Sequence, residues 1–410
     1  METGSKRYLI IADDFTGSND TGVQLKRRGL ETDVVLEGGK TESGCLVIDT
    51  ESRGLSAAEA GEKTERLLRG LDFSRYDCVI KKVDSTLRGN IAAEVERVDA
   101  LYDSGLVVFA PALPDLGRTT VDGVHRIDGT PITRTELARD PKNPVLEDNI
   151  TALLQSAYKE PVHHIGLDKI RQNRIDFSAG RVFTCDAVTN RDMRAIIEAA
   201  CRTGKRTLWV GAAALADNLL EQTSPSLPAF GVAASLSSVT KRQVEYAREA
   251  GAAVVAVPPE LFFRAPEKKR EYVGRAVSLL SRKRDVLLCV ASLLDAEAFR
   301  KTEEAAAERN LNEADAGRLI QDAFGDMACG ILDRAGVSGL FLTGGDTAIG
   351  FFRKAGALGS RILTEVAVGI PMMLLRGGRF DGMKVITKAG AFGKEDAIAY
   401  SLRKLKETLS

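Results

Sequence analysis

Apolar positions along the chain come in short runs, each closed by a glycine or polar turn and followed by a longer stretch with helical spacing. Runs rich in β-branched residues predict strands at 8–12, 33–36, 45–48, 78–83, 106–111, 181–185, 207–211, 253–257, 286–291, 339–343, 371–375 and 384–387. Amphipathic spacing predicts helices over 57–69, 191–201, 240–250 and 314–335. Continuous apolar strands alternating with helices indicate an α/β class with mostly parallel sheets covered on both faces. Two segments break the alternation. Residues 117–148 carry Pro131, Pro141 and Pro144 and many charges, and read as a long irregular insert that is functional or covers a site. Residues 222–230 hold Pro225 and Pro228 and separate the two series of strands.

The length of 410 residues exceeds what one core usually serves. Two domains are therefore expected, 1–227 and 228–410, each with a mostly parallel sheet flanked by helices and with the active site in the cleft between them. Lys+Arg and Asp+Glu both total 57, so the basic excess of a nucleic-acid binder is absent. No apolar run reaches membrane-spanning length and the N-terminus lacks an apolar signal core, which points to a cytoplasmic protein. The 6 cysteines lack C-x-x-C spacing and read as reduced thiols, and the 3 histidines are too few for a His/Cys zinc site.

Candidate chemistry gathers where strands end. Ala12-Asp13-Asp14-Phe15-Thr16-Gly17 runs from an apolar strand into paired acids at a helix start; the same acids could serve as an N-cap. Asp49-Thr50-Glu51-Ser52-Arg53 and Lys81-Lys82-Val83-Asp84-Ser85-Thr86-Leu87-Arg88 add acids, hydroxyls and cations at two further exits. Arginine forks suit a carboxylate, so Arg53 and Arg88 fit an acidic substrate, while Asp and Ser side chains fit polyol hydroxyls. A structural ion-pair network is the competing reading. His125 follows a fourth exit; a satisfied loop histidine is the commoner outcome there than a substrate contact.

In the C-terminal half, Thr343-Gly344-Gly345-Asp346-Thr347 lies between a strand and a helix start. Backbone amides at such a turn attract phosphate, although the turn is neither a P-loop nor a dinucleotide fingerprint. Thr387-Lys388-Ala389-Gly390 and Ala234-Ser235-Leu236-Ser237 supply similar ends.

Taken in order, these motifs resemble the four-carbon acid sugar kinase family, which includes D-threonate, D-erythronate and 3-oxo-tetronate kinases. The likeness is carried by A-D-D-F-T-G (12–17), Ser52-Arg53, K-K-V-D-S-T-L-R-G-N (81–90), A-R-D-P-x-N-P (138–144), T-G-G-D-T (343–347) and T-K-A-G-A-F-G (387–393). It implies an N-terminal sugar-acid domain and a C-terminal nucleotide domain, with ATP and Mg²⁺ used to phosphorylate the terminal hydroxyl. Substrate contacts implied by it are Asp13, Asp14, Arg53, Lys82, Val83, Asp84, Ser85 and Arg88. Nucleotide contacts are Ser235 or Ser237, Gly344, Gly345, Asp346, Thr347, Lys388 and Gly390. The chain departs from the G-S-C-S-type turn common in the family, which leaves Ser235 and Ser237 as alternatives. Asp14, Asp84 and Asp346 are the candidates for the base, and Asp346 could instead hold Mg²⁺ through water. No protein metal ligand is assigned, and a homodimer is the base-rate assembly. The rival readings are a non-catalytic sugar-acid sensor and a nicotinamide-dependent oxidoreductase. The latter predicts G-x-G-x-x-G after a strand, which the Asp13 exit lacks.

Overall fold

A computed structural model describes residues 6–36 and 43–408. The chain divides into two compact units between Pro225 and Ser226.

The first unit holds β1 (Tyr8–Ala12), β2 (Thr32–Val35), β3 (Cys45–Asp49), β4 (Cys78–Lys82), β5 (Leu106–Ala110), β6 (Arg118–Val121), β7 (Val124–Ile127), β8 (Thr130–Pro131), β9 (Val162–Ile165), β10 (Val182–Cys185) and β11 (Thr207–Gly211). Its main sheet is eight-stranded, in the order β2-β3-β1-β4-β11-β5-β10-β9, with every pairing parallel. Alternation along each strand sends side chains to opposite faces. Tyr8, Ile10, Val47 and Ile80 pack on one face with Leu25, Met193, Ile196 and Leu219, all from helices. Leu9, Ile11, Val79 and Val107 pack on the other with Leu68, Val95 and Val98. Burying one such aliphatic side chain contributes roughly 1.5–3 kcal/mol, which is why these strands read as unbroken apolar runs.

Chain order reverses at β1, which has β3 on one side and β4 on the other. Loops leaving the carboxyl ends of β1, β3 and β4 therefore open around one crevice, the usual ligand position in such sheets.

The 117–148 insert is not irregular. Its β6, β7 and β8 form a three-stranded antiparallel sheet. Asp122 (φ 53°) with Gly123 (φ 75°), and Asp128 (φ 48°) with Gly129 (φ 81°), make the left-handed pairs that two-residue hairpins need.

The second unit holds β12 (Phe230–Ala233), β13 (Ala253–Val257), β14 (Val286–Val290), β15 (Leu340–Thr343), β16 (Gly359–Ala367), β17 (Ile370–Arg376) and β18 (Lys384–Lys388). The seven-stranded order is β13-β14-β12-β15-β18-β17-β16. Strands β13 to β18 along that order are parallel, while β17 and β16 continue it as an antiparallel hairpin. Order reverses at β12, between β14 and β15. The turns after β12, β15 and β18 consequently share one end of this sheet. No helix among the described residues is long and apolar enough to cross a membrane.

Candidate active-site groups

In the first unit, Asp13 and Asp14 leave β1 just as helix Phe15–Arg27 begins. Asp14 is the N-cap and accepts from the Gly17 amide at 3.2 Å. Arg53, from the β3 exit, donates through Nε and Nη2 to both oxygens of Asp13, at 2.7 and 3.0 Å, and through Nη2 to Asp14 Oδ1 at 2.6 Å. Burial would lower the Arg53 guanidinium, but the Asp13 bond and the neighbouring aspartates raise it, so it stays charged. At the β4 exit, Arg88 Nε donates to Asp84 Oδ2 at 2.7 Å and Thr86 Oγ1 donates to the same oxygen. Burial opposes ionisation of Asp84, yet these bonds and the Arg53 charge hold it at about 2.

From the sequence, Arg53 and Arg88 are expected as forks for a substrate carboxylate. Here both forks are engaged by aspartates. Lys82 differs: its Nζ donates to the Val83 carbonyl at 3.0 Å, and among the described residues it forms no ion pair. Burial pulls its pKa down while Asp13, Asp84 and Asp14 push it back up. Val83 itself points into the core, so only its carbonyl belongs to the site. Ser85 contributes its carbonyl to the Nε2 of His125, at 2.9 Å. His125 is fully buried and its Nδ1 meets Thr120 Oγ1 at 2.9 Å, so both ring nitrogens are satisfied and it is a loop-holding residue.

Residues outside the predicted site support it from below. Lys81 Nζ lies 2.6 Å from Glu94 Oε2, both fully buried. Ser52 Oγ donates to Glu94 Oε1 at 2.9 Å, and Thr50 Oγ1 meets Ser52 Oγ at 2.6 Å. Asp49 accepts from the Glu51 amide through Oδ1, while its buried Oδ2 has no partner and burial pushes its pKa up. Strand parity was the available signal: Lys81 and Lys82, adjacent in β4, must face opposite ways.

In the second unit, Gly344 follows β15 with φ 99°, a left-handed conformation, and its amide donates to the Lys388 carbonyl at 2.8 Å. Helix Gly345–Ala355 starts there, with Asp346 exposed in its first turn and Thr347 buried. The first amides of such a helix form an anion-binding end. Ser235 packs directly on Gly390: a Cβ at Gly390 would stand 2.4 Å from Ser235 Oγ. Ser237 instead caps helix Ser238–Glu249, accepting from the Val239 amide at 3.2 Å. Lys388 Nζ donates to the carbonyls of Ala389 and Gly390, each at 2.9 Å, and burial pushes its pKa down to about 8. Gln243 Nε2 fastens the same turn through the carbonyls of Phe392, Gly393 and Lys394.

Each unit matches a known domain family. Residues 8–219 match a sugar-binding N-terminal domain and residues 230–398 a nucleotide-binding C-terminal domain. A D-threonate kinase from Salmonella typhimurium is 34% identical over 98% of this chain and 99% of its own. The chain belongs to the four-carbon acid sugar kinase family. Other relatives in the family include a D-erythronate kinase from Heliobacterium modesticaldum, 27% identical over 95% of this chain and 94% of its own. A 3-oxo-tetronate kinase from Pseudomonas fluorescens is 26% identical over 99% of each chain. A solved structure from Bordetella bronchiseptica, described as a domain-swapped dimer with bound citrate, superposes with a TM-score of 0.68. It is 26% identical and covers 98% of both chains.

Proposed function

We propose that this protein is an ATP-dependent kinase that phosphorylates the terminal (4-) hydroxyl of a four-carbon sugar acid, with D-threonate the first substrate to test. The observation that carries the reading is Lys82, a buried ammonium with no ion pair among the described residues, set beside Asp13, Asp14 and Asp84. A small polyol carboxylate suits that set. Its carboxylate meets Lys82, and its hydroxyls donate to the aspartates that Arg53 and Arg88 hold in place. The citrate bound by the Bordetella bronchiseptica relative, a small hydroxy acid, supports the same ligand class, and that relative's dimer supports a homodimer here. Greater identity to a D-threonate kinase than to the D-erythronate and 3-oxo-tetronate kinases named above orders the substrates.

The nucleotide is assigned to Ser235, Gly344, Gly345, Thr347, Lys388 and Gly390, with Ser237 left to its helix cap. During transfer the acceptor oxygen bonds to the γ-phosphorus, the bond from that phosphorus to the β–γ bridging oxygen breaks, and ADP departs. The hydroxyl proton passes to a carboxylate. Asp84, held at about 2, is a weak proton acceptor. Asp14 is shared between the Gly17 amide and Arg53. Asp346 is exposed, and no side-chain hydrogen bond engages it among the described residues, so we assign the base role to Asp346. Mg²⁺ would arrive carried by nucleotide phosphates and water rather than by a protein cage. When bound it neutralises phosphate charge.

The test is coupled ADP release with D-threonate, D-erythronate and 3-oxo-tetronate in the presence of ATP and Mg²⁺. Turnover of at least one acid is expected; binding of an acid without ADP release would return the sensor reading. Asp346→Asn should lower kcat by about 10²-fold or more. Full turnover in that variant would remove Asp346 from the chemistry.

A further inference from the structure

Two lysines near strand ends of this protein, both shielded from solvent, are treated in opposite ways. Lys81, in β4, has Glu94 at 2.6 Å. Lys388 closes β18, and its Nζ reaches only the neutral carbonyls of Ala389 and Gly390. No ion pair involves it among the described residues. A buried ammonium without a counter-charge is costly, and an apolar residue of similar length would avoid that cost. A fold that keeps lysine there recovers the cost at another step.

The neighbouring strand end repeats the pattern. Thr343 is the register partner of Lys388 across β15 and β18, so the two side chains rise on one face of the sheet. Thr343 is fully buried, and its Oγ1 has no hydrogen-bond partner. A cation and a hydroxyl with unused donor capacity thus stand side by side under the Gly344 turn. The Gly390 carbonyl also accepts from Thr240 Oγ1 at 2.9 Å. It would keep a donor if Lys388 withdrew.

We propose that Lys388 is the phosphate-binding cation of this turn, exchanging the Ala389 and Gly390 carbonyls for nucleotide phosphate oxygens, with Thr343 Oγ1 donating beside it. The inference rests on the nucleotide reading given above for this unit. The elements around Lys388 present Ser235, Thr240, Gln243, Thr343 and Thr347, all neutral, and Asp346, which is exposed. Burial is the single cause of its lowered pKa. Contact with phosphate raises that pKa again, so binding at a pH of about 8.5 draws a proton from solution.

The experiment measures ATP, ADP and adenosine binding to wild type and Lys388→Met by titration calorimetry. It is repeated at a pH of about 8.5 in two buffers of different ionisation enthalpy. For Lys388→Met, ATP and ADP affinity should fall by about tenfold or more, adenosine affinity should stay unchanged, and proton uptake should vanish. Lys388→Arg should recover part of the ATP affinity, which a mere loss of packing would not allow. Equal losses for ATP and adenosine would mark Lys388 as a structural clamp and overturn the inference. So would unchanged ATP binding by Lys388→Met. Wild type failing to bind ATP would take down the nucleotide reading itself, and the inference with it.

Discussion

Lys81 and Glu94 form an ion pair at 2.6 Å in which neither side chain reaches solvent. Burial pushes Glu94 up, and Lys81 and Ser52 pull it back. Removing one partner strands the other charge, so Glu94→Ala or Lys81→Ala should each cost about 3–5 kcal/mol. Lys81→Met with Glu94→Leu should recover most of that loss. Urea unfolding of the single and double variants measures the coupling, and additive losses would show that the pair does not act as a unit.

Asp84 gives the protein an acid limb. Its folded pKa of about 2 lies below the ordinary 3.8, so its contribution is present above about pH 4 and is lost as pH falls towards 2. The shift corresponds to about 2 kcal/mol. In Asp84→Asn, the stability difference from wild type should shrink across that window. A constant difference from pH 5 to 2.5 would show that Asp84 carries no such linkage.

His125 acts at milder pH. Burial holds its pKa below the ordinary 6.5, while the bond to the Ser85 carbonyl works in the opposite sense. Depression of a histidine means that stability is full above the unfolded value and declines as pH falls towards the folded one. Between about pH 7 and pH 5, wild type should lose stability that His125→Gln does not. The same acidification should raise KM for the sugar acid in wild type, because Ser85 sits in the Lys82 and Asp84 loop. Parallel pH profiles for the two proteins would refute this.

Gly390 and Ser235 provide a steric test. Gly390→Ala would bring a Cβ 2.4 Å from Ser235 Oγ and 3.4 Å from its Cβ. A destabilisation of about 1–3 kcal/mol is expected, together with weaker ATP binding. Ser235→Ala on top of it removes the closer clash and should restore thermal stability. Persistence of the full stability loss in the double variant would mean the clash lies elsewhere.

Much of this was legible in the sequence because parallel strands buried on both faces are unbroken apolar runs; Tyr8–Ala12 is the plainest case. The β16 strand has no apolar run to read because it is an edge, mostly exposed, with Arg361 and Glu365 interrupting its apolar residues. Prolines and charges mask the sheet in the insert, although Asp122-Gly123 and Asp128-Gly129 carry the hairpin signal. The motifs do lie at strand exits, after β1, β3, β4, β15 and β18. What no motif can express is pairing: that Arg53 spends its fork on Asp13, or that one lysine of Lys81-Lys82 faces Glu94 and the other does not.

The hairpin insert reaches the Lys82 and Asp84 loop with an imidazole, His125 on the Ser85 carbonyl. Under the proposed function, acceptor selectivity would have a handle outside the chemistry. Substitutions at the exposed hairpin turns would act on that loop from outside β1, β3 and β4. Directed evolution towards a longer or differently configured acid should collect winners in 118–131 as readily as among the charged residues themselves.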